Sequence, residues 1–126
     1  MMLGWNIGVY RLMENEEGPA TATSSYGTRL AVWQTALSGL NWIDELVKEG
    51  KAIDLGGNGY PFRYTATAEY LIPHFVNGVP EARDRWSFEV TDIIMEGWEG
   101  KTAIDQTAIA LCRPDEWLLV EAWDES

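Results

Sequence analysis

One segment of the chain, residues 38–49, has apolar side chains at the three- and four-residue spacing of an amphipathic helix. Those apolar positions are Leu40, Ile43, Leu46 and Val47. Ser38 is a candidate N-cap and Gly50 a candidate C-terminal stop. A helix of this length is marginally stable alone, so its apolar stripe must be buried elsewhere in the fold. The pattern therefore predicts a helix packed on another layer.

Other segments alternate apolar and polar residues with the period of two that is typical of β-strands. The predicted strands cover residues 3–13, 28–35, 62–72, 86–94 and 117–123. The cleanest alternation is that of residues 62–72, which Pro73 should end. Residues 117–123 are apolar on both faces and predict an interior strand, with Glu121 as the exception. Glu121 is either buried and paired with an arginine, or it marks an interaction surface. Residues 105–112 fit a short helix capped by Asp105, or a strand.

These elements do not follow one another in regular βαβ order, which argues against a parallel sheet. The predicted fold is α+β, with a mainly antiparallel twisted sheet of four to six strands. One long helix, about residues 38–49, should pack on one face, and a second short helix is an open alternative. The length of 126 residues is that of a single globular domain over residues 1–126.

Composition excludes several classes of protein. The 20 acidic residues outnumber the 9 Lys and Arg, giving a net charge of −11, which disfavours binding to nucleic acid. One Cys and one His exclude a disulfide framework and a multi-cysteine zinc site, and we expect no metal and no cofactor. No apolar stretch has the length of a membrane span, and the N-terminal residues lack the pattern of a secretory signal. We therefore expect a cytoplasmic protein that does not associate with membranes.

The negative charge is concentrated in the last third of the chain. Residues 1–83 hold 9 acids and 6 bases, whereas residues 84–126 hold 11 acids and 3 bases. Within that region Trp98 is flanked by glycines and glutamates in a predicted turn, and exposed Trp residues are frequent anchors of protein interfaces. We call the predicted partner-binding set, within residues 96–101 and 113–125, the acidic rim. Its members are Glu96, Trp98, Glu99, Asp115, Glu116, Glu121, Asp124 and Glu125. Solubility alone is the competing explanation for the charge.

Catalytic patterns are less specific. The glycine-rich residues 56–59 could cradle an anion, but they lead into a strand and lack a P-loop lysine, so a tight connection with positive φ angles is favoured. Carboxylates such as Glu69 and Glu89 most simply face water. An aromatic-lined ligand pocket on the sheet is a separate possibility. Its predicted members are Tyr60, Arg63, Tyr64, Tyr70, His74 and Trp86.

Three functions follow from these patterns. The favoured one is a small acidic, non-catalytic protein that neutralises or regulates a basic protein partner, such as a toxin or nuclease domain, as bacterial immunity proteins and inhibitors do. The second is a small-molecule-binding protein or hydrolytic enzyme that uses the aromatic pocket. The third is a structural or assembly subunit that forms a homo-oligomer through a sheet edge, for which residues 3–13 are a candidate.

Overall fold

A computed structural model describes residues 4–13, 18–35, 37–58, 61–76 and 102–124. Its six strands are β1 (Trp5–Leu12), β2 (Tyr26–Thr35), β3 (Ala52–Gly57), β4 (Phe62–Thr67), β5 (Ala103–Ile104) and β6 (Trp117–Asp124). Its helices are α1 (Asn41–Lys48), α2 (Ala68–Leu71) and α3 (Gln106–Ala110), with 3-10 turns at Leu37–Leu40 and Ile72–His74. The predicted strand at residues 86–94 lies outside the described residues.

The strands form one antiparallel sheet in the order β3-β4-β6-β1-β2-β5. This confirms the α+β class with an antiparallel sheet. The last strand of the chain, β6, lies between β4 and β1, as its apolar pattern predicted. β1 is itself paired with β6 and β2, so the expectation that residues 3–13 form a sheet edge is wrong. Leu118, Leu119 and Val120 of β6 are fully buried, because both faces of this central strand are covered.

The prediction of one long helix is not supported. Residues Leu37–Leu40 wind as a 3-10 turn, and the α-helix proper has eight residues, Asn41–Lys48. Its N-cap position is Leu40, without a side-chain cap, instead of Ser38. Gly39 approaches Thr35 so closely that no Cβ would fit there, which ties the turn to the end of β2. Gly50, with φ of 77°, follows the helix end as predicted.

The predicted strand over residues 62–72 is wrong in its second half. β4 ends at Thr67, and residues Ala68–Leu71 form one helical turn. The backbone N–H groups of Ala68 and Glu69 donate to the carbonyls of Glu116 and Pro114, in the segment that leads into β6. Because β6 begins at Trp117, its pairing with β4 ends at Thr67, the partner of Trp117. Leu71 is apolar and fully buried, yet it falls on the polar side of the predicted alternation. This mismatch was the sign in the sequence that the strand ends before Leu71.

Two short strands were not predicted. β3 forms one edge of the sheet and contains Gly56 and Gly57, whose φ angles of 86° and 127° confirm the expectation of positive φ in this segment. β5, with two residues, pairs with β2 at the other edge. The alternative left open for residues 105–112 resolves as a helix, since the Asp105 carboxylate accepts a hydrogen bond from Ala108 N at 2.9 Å.

The sheet has one apolar face and one face of mixed character, which we call the inner and outer faces. Cross-strand partners such as Ile7 and Ala122, or Tyr64 and Val120, share the inner face and are buried in the main hydrophobic cluster. That cluster also contains Trp42, Ile43 and Leu46 of α1. The outer face carries charged and hydroxyl side chains, among them the buried carboxylate of Glu121.

Candidate functional site

A buried ion pair occupies the outer face at the centre of the sheet. Arg63 of β4 and Glu121 of β6 are direct cross-strand partners, so their side chains leave the sheet on the same side. Arg63 Nη2 lies 2.7 Å from Glu121 Oε2. Glu121 is 2% exposed, so the carboxylate depends on this guanidinium for compensation. Glu121 is thus a buried carboxylate paired with an arginine, and it is not an exposed member of the acidic rim.

Residues 18–25, which we call the strap, cover the same face of β4. Arg63 Nη1 donates to the carbonyls of Ala22 at 2.9 Å and Ser24 at 3.0 Å. Ala20 N donates to Thr65 Oγ1 at 3.1 Å, and Thr65 Oγ1 donates to the Leu118 carbonyl at 2.7 Å. Three of these hydrogen bonds join the strap to β4, and the side chains of Arg63 and Thr65 make all three.

Aromatic side chains border the ion pair. Gly8 of β1 leaves room for the ring of Tyr10, because a Cβ at Gly8 would lie 2.7 Å from Tyr10 Oη. Burial raises the pKa of Tyr10, and the nearby charge of Glu121 raises it further. Trp123, which is 43% exposed, donates from Nε1 to Glu121 Oε1 at 3.4 Å. The space beside Gly8 thus accommodates a ring of the same strand.

The residues of the predicted ligand pocket do not line one cavity in the part of the chain that is described. Arg63 lies on the outer face, whereas its neighbour Tyr64 lies in the core, where burial, with the charges of Asp44 and Asp54, raises the pKa of Tyr64 to about 12. Tyr70 is exposed, with Lys51 Nζ 5.6 Å from its ring centroid. The exposed His74 lies beside Trp42. Tyr60 and Trp86 lie outside the described residues.

An open groove of about 490 Å³ lies elsewhere, at the β2–β5 edge. It is lined by Arg29, Leu30, Ala103, Ile104, Asp105, Gln106 and Thr107. None of the predicted pocket residues contributes to it, and it contains no aromatic side chain.

The acidic rim is only partly described, because Glu96, Trp98, Glu99 and Glu125 lie outside the described residues. Asp115 and Glu116 precede β6, whereas Asp124 ends it, about 25–30 Å away at the rise of a β-strand. These described members therefore lie at opposite ends of β6.

Glu116 is also engaged within the protein. Its carboxylate accepts hydrogen bonds from Arg11 Nε at 2.7 Å and Arg11 Nη2 at 3.1 Å, and from Arg113 N at 3.3 Å. Burial by itself would raise the pKa of Glu116, but these hydrogen bonds and the two positive charges outweigh burial and lower it. Asp115 makes only a long, exposed contact with Arg113, at 3.9 Å.

The structure brings together a second group of carboxylates that the sequence did not single out, and we call it the acidic edge. It consists of Asp44 and Glu45 of α1 and Asp54 of β3, all exposed, where α1 lies against β3. Partial burial raises the pKa of Asp44, and the negative charges of Asp54 and Glu45 raise it further, against the lowering effect of Lys48. The signal in the sequence was only the polar side of the helix.

Among the described residues, no group of three or more His, Cys, Asp or Glu side chains is arranged to hold a metal ion. Within that part of the chain, no helix combines the length and apolar character needed to cross a membrane. Cys112 is a free, half-buried thiol whose pKa is raised by burial and by the charge of Glu116.

Comparison with known proteins gives no match to a family model, to a curated protein or to a solved structure. The candidate function must therefore be argued from the chain's own residues.

Proposed function

We propose that this chain is a small acidic, non-catalytic binding protein of the cytoplasm that neutralises or regulates a basic protein partner, as immunity proteins and inhibitors do. The observation that carries the proposal is the acidic edge. Its three carboxylates are exposed, they repel one another, and none of them belongs to an ion pair of the described residues. Basic side chains of a partner would relieve that repulsion.

The cations of the described residues increase this imbalance. Arg11, Lys51, Arg63 and Arg113 each make an ion pair with a carboxylate outside the acidic edge. In this chain, with a net charge of −11, most positive side chains of the described residues are therefore paired with carboxylates other than those of the acidic edge. The resulting negative potential favours encounter with a positively charged surface and makes binding dependent on ionic strength.

The predicted acidic rim remains part of the proposal, but with fewer residues. Glu96, Trp98 and Glu99 keep their assignment as an aromatic anchor with acidic neighbours, and Asp115, Asp124 and Glu125 keep theirs as surrounding charges. Glu116 and Glu121 no longer support it directly, because their carboxylates are bound by Arg11 and Arg63. The sequence-based rim and the acidic edge are therefore tested as two separate surfaces.

The experiment begins with affinity capture by the full-length tagged protein in the cells from which it comes, followed by purification of the captured partner. Binding of the purified pair is then titrated at about 50 and 300 mM salt. The variants are Asp44→Lys/Asp54→Lys for the acidic edge, and Glu96→Lys/Glu99→Lys and Trp98→Ala for the rim. Glu69→Lys, an exposed carboxylate of α2, is the matched control.

We expect a basic partner, an affinity that falls about tenfold or more over that salt range, and a comparable loss in at least one charge-reversal variant, with the control unchanged. An affinity indifferent to salt and to every variant would contradict the proposal. Capture of only a second copy of the chain would instead support self-association, which sedimentation at several concentrations would measure.

A further inference from the structure

The strap exposes most of its residues to solvent. Of residues 18–25, only Ala20 and Ser24 are buried, and the neighbouring Thr21, Ala22 and Thr23 are exposed. Within the strap, Ser24 N donates to the Thr21 carbonyl at 3.2 Å and Thr21 N donates to Ser24 Oγ at 2.8 Å. A segment with little buried apolar surface and its own internal turn is the kind that opens locally without global unfolding.

One guanidinium joins the strap to the buried ion pair. Arg63 Nη1 donates to two strap carbonyls while Nη2 faces the Glu121 carboxylate. The donors of a guanidinium form a rigid planar fork, so a single orientation of the group must satisfy all three acceptors. A movement of Arg63 therefore disturbs the attachment of the strap and the ion pair together.

We propose that residues 18–25 open and close as one unit over the outer face, and that Arg63 holds the strap closed. Opening breaks the hydrogen bonds of Arg63 to Ala22 and Ser24 and that of Ala20 to Thr65. It admits water to the Arg63–Glu121 pair and adds a carboxylate to the accessible surface of an already acidic protein. Opening and closing of the strap thus changes the accessible charge on this face. This inference does not depend on the proposed partner.

Amide hydrogen exchange of the intact protein under native conditions tests the proposal. The reporters are the Ala20 and Ser24 amides of the strap, and the amides of central strand β6 are the reference for global unfolding. Arg63→Lys keeps a positive charge opposite Glu121 but removes the rigid fork. Thr65→Val removes the acceptor of the Ala20 amide. Arg113→Lys is the matched control, since it keeps the positive charge of a residue that pairs with the exposed Asp115.

We expect the strap amides to exchange faster than those of β6 in the native protein. Arg63→Lys should accelerate exchange of Ala20, whose own acceptor is intact, by about tenfold or more relative to β6. Thr65→Val should likewise accelerate exchange of Ser24, because the single turn hydrogen bond to the Thr21 carbonyl gives this amide little protection once the strap leaves the sheet and Ser24 is no longer buried. The control should change neither amide.

Two results would overturn the proposal. The first is exchange of the strap and β6 amides at one common rate, which would mean that the strap opens only when the whole protein unfolds. The second is unchanged exchange of Ala20 in Arg63→Lys and of Ser24 in Thr65→Val, which would mean that the strap does not move as a unit.

Discussion

Two Arg–Glu pairs lie along β6, and they have the same separation in different surroundings. Arg11 and Glu116 meet just before the strand begins, with 31% and 13% of their side chains exposed and Nε 2.7 Å from Oε2. Arg63 and Glu121 meet near the middle of the strand, again at 2.7 Å, with exposures of 18% and 3%. A pair that water can reach loses little when it breaks, whereas a buried carboxylate left without its cation is strongly destabilising. Distance alone therefore does not rank these two interactions.

The largest expected effect comes from removing the buried cation. Arg63→Met should lower the free energy of unfolding by about 3–5 kcal/mol, because Glu121 would remain buried and uncompensated. Urea unfolding followed by the fluorescence of the tryptophans measures it. The double variant Arg63→Met/Glu121→Leu should recover most of that loss. A loss no larger than that of Arg11→Met would remove the distinction between the two pairs.

Gly8→Ala should have the next largest effect. The added Cβ would lie 2.7 Å from Tyr10 Oη, so the ring beside Glu121 must move, at a cost of about 1–3 kcal/mol. The matched control repeats Gly8→Ala in a Tyr10→Ala background, where the obstacle is absent and the cost should be smaller. Equal costs in both backgrounds would show that the ring does not occupy this space.

The partly buried pair of Arg11 and Glu116 should contribute less, and its contribution should depend on pH. Arg11→Met should cost about 1 kcal/mol at neutral pH. The pKa of Glu116 is below its ordinary value of 4.5 in the folded protein, so its interactions stabilise the fold above that pH and are lost as pH falls through the folded-state value. Between about pH 5 and pH 3 the variant should therefore lose less stability than the native protein. Parallel acid-induced losses in the two proteins would contradict this origin of the shift.

The smallest effect is expected at the most exposed contact. Arg113 and Asp115 lie 3.9 Å apart with 76% and 82% of their side chains exposed. Arg113→Ala should leave the midpoint of urea unfolding unchanged, because the variant keeps the backbone N–H that donates to Glu116. A measurable loss would show that the Arg113 charge acts on Glu116 more strongly than its exposure indicates.

The strands predicted well are those whose burial is regular along the sequence. The alternation in β1 and the doubly apolar β6 were recognised because burial of one or both faces leaves a direct trace in the sequence. The second half of residues 62–72 was predicted wrongly, because Ala68 is buried equally well at the end of a strand and in a single helical turn. β3 was missed because an edge strand interrupted by Gly56 and Gly57 resembles a loop.

The candidate site was less accessible to sequence reasoning. Glu121 was recognised as exceptional on an apolar strand, and pairing with an arginine was one of the open interpretations. The identity of that arginine depends on the register of β4 against β6, which joins residues 58 positions apart and leaves no local pattern. The acidic edge likewise depends on where α1 meets β3, so Asp44 and Asp54 could not be grouped beforehand.

By itself the sequence determined the net charge, the α+β class, the central place of β6 and the anomaly of Glu121, because composition and hydrophobic period act over a few neighbouring residues. Only the tertiary structure decided which acids are neutralised, which are exposed together, and that the strap and the ion pair share Arg63. The physical reason is that electrostatic interactions depend on distance and burial in the folded protein, which strand register and packing set across the whole chain.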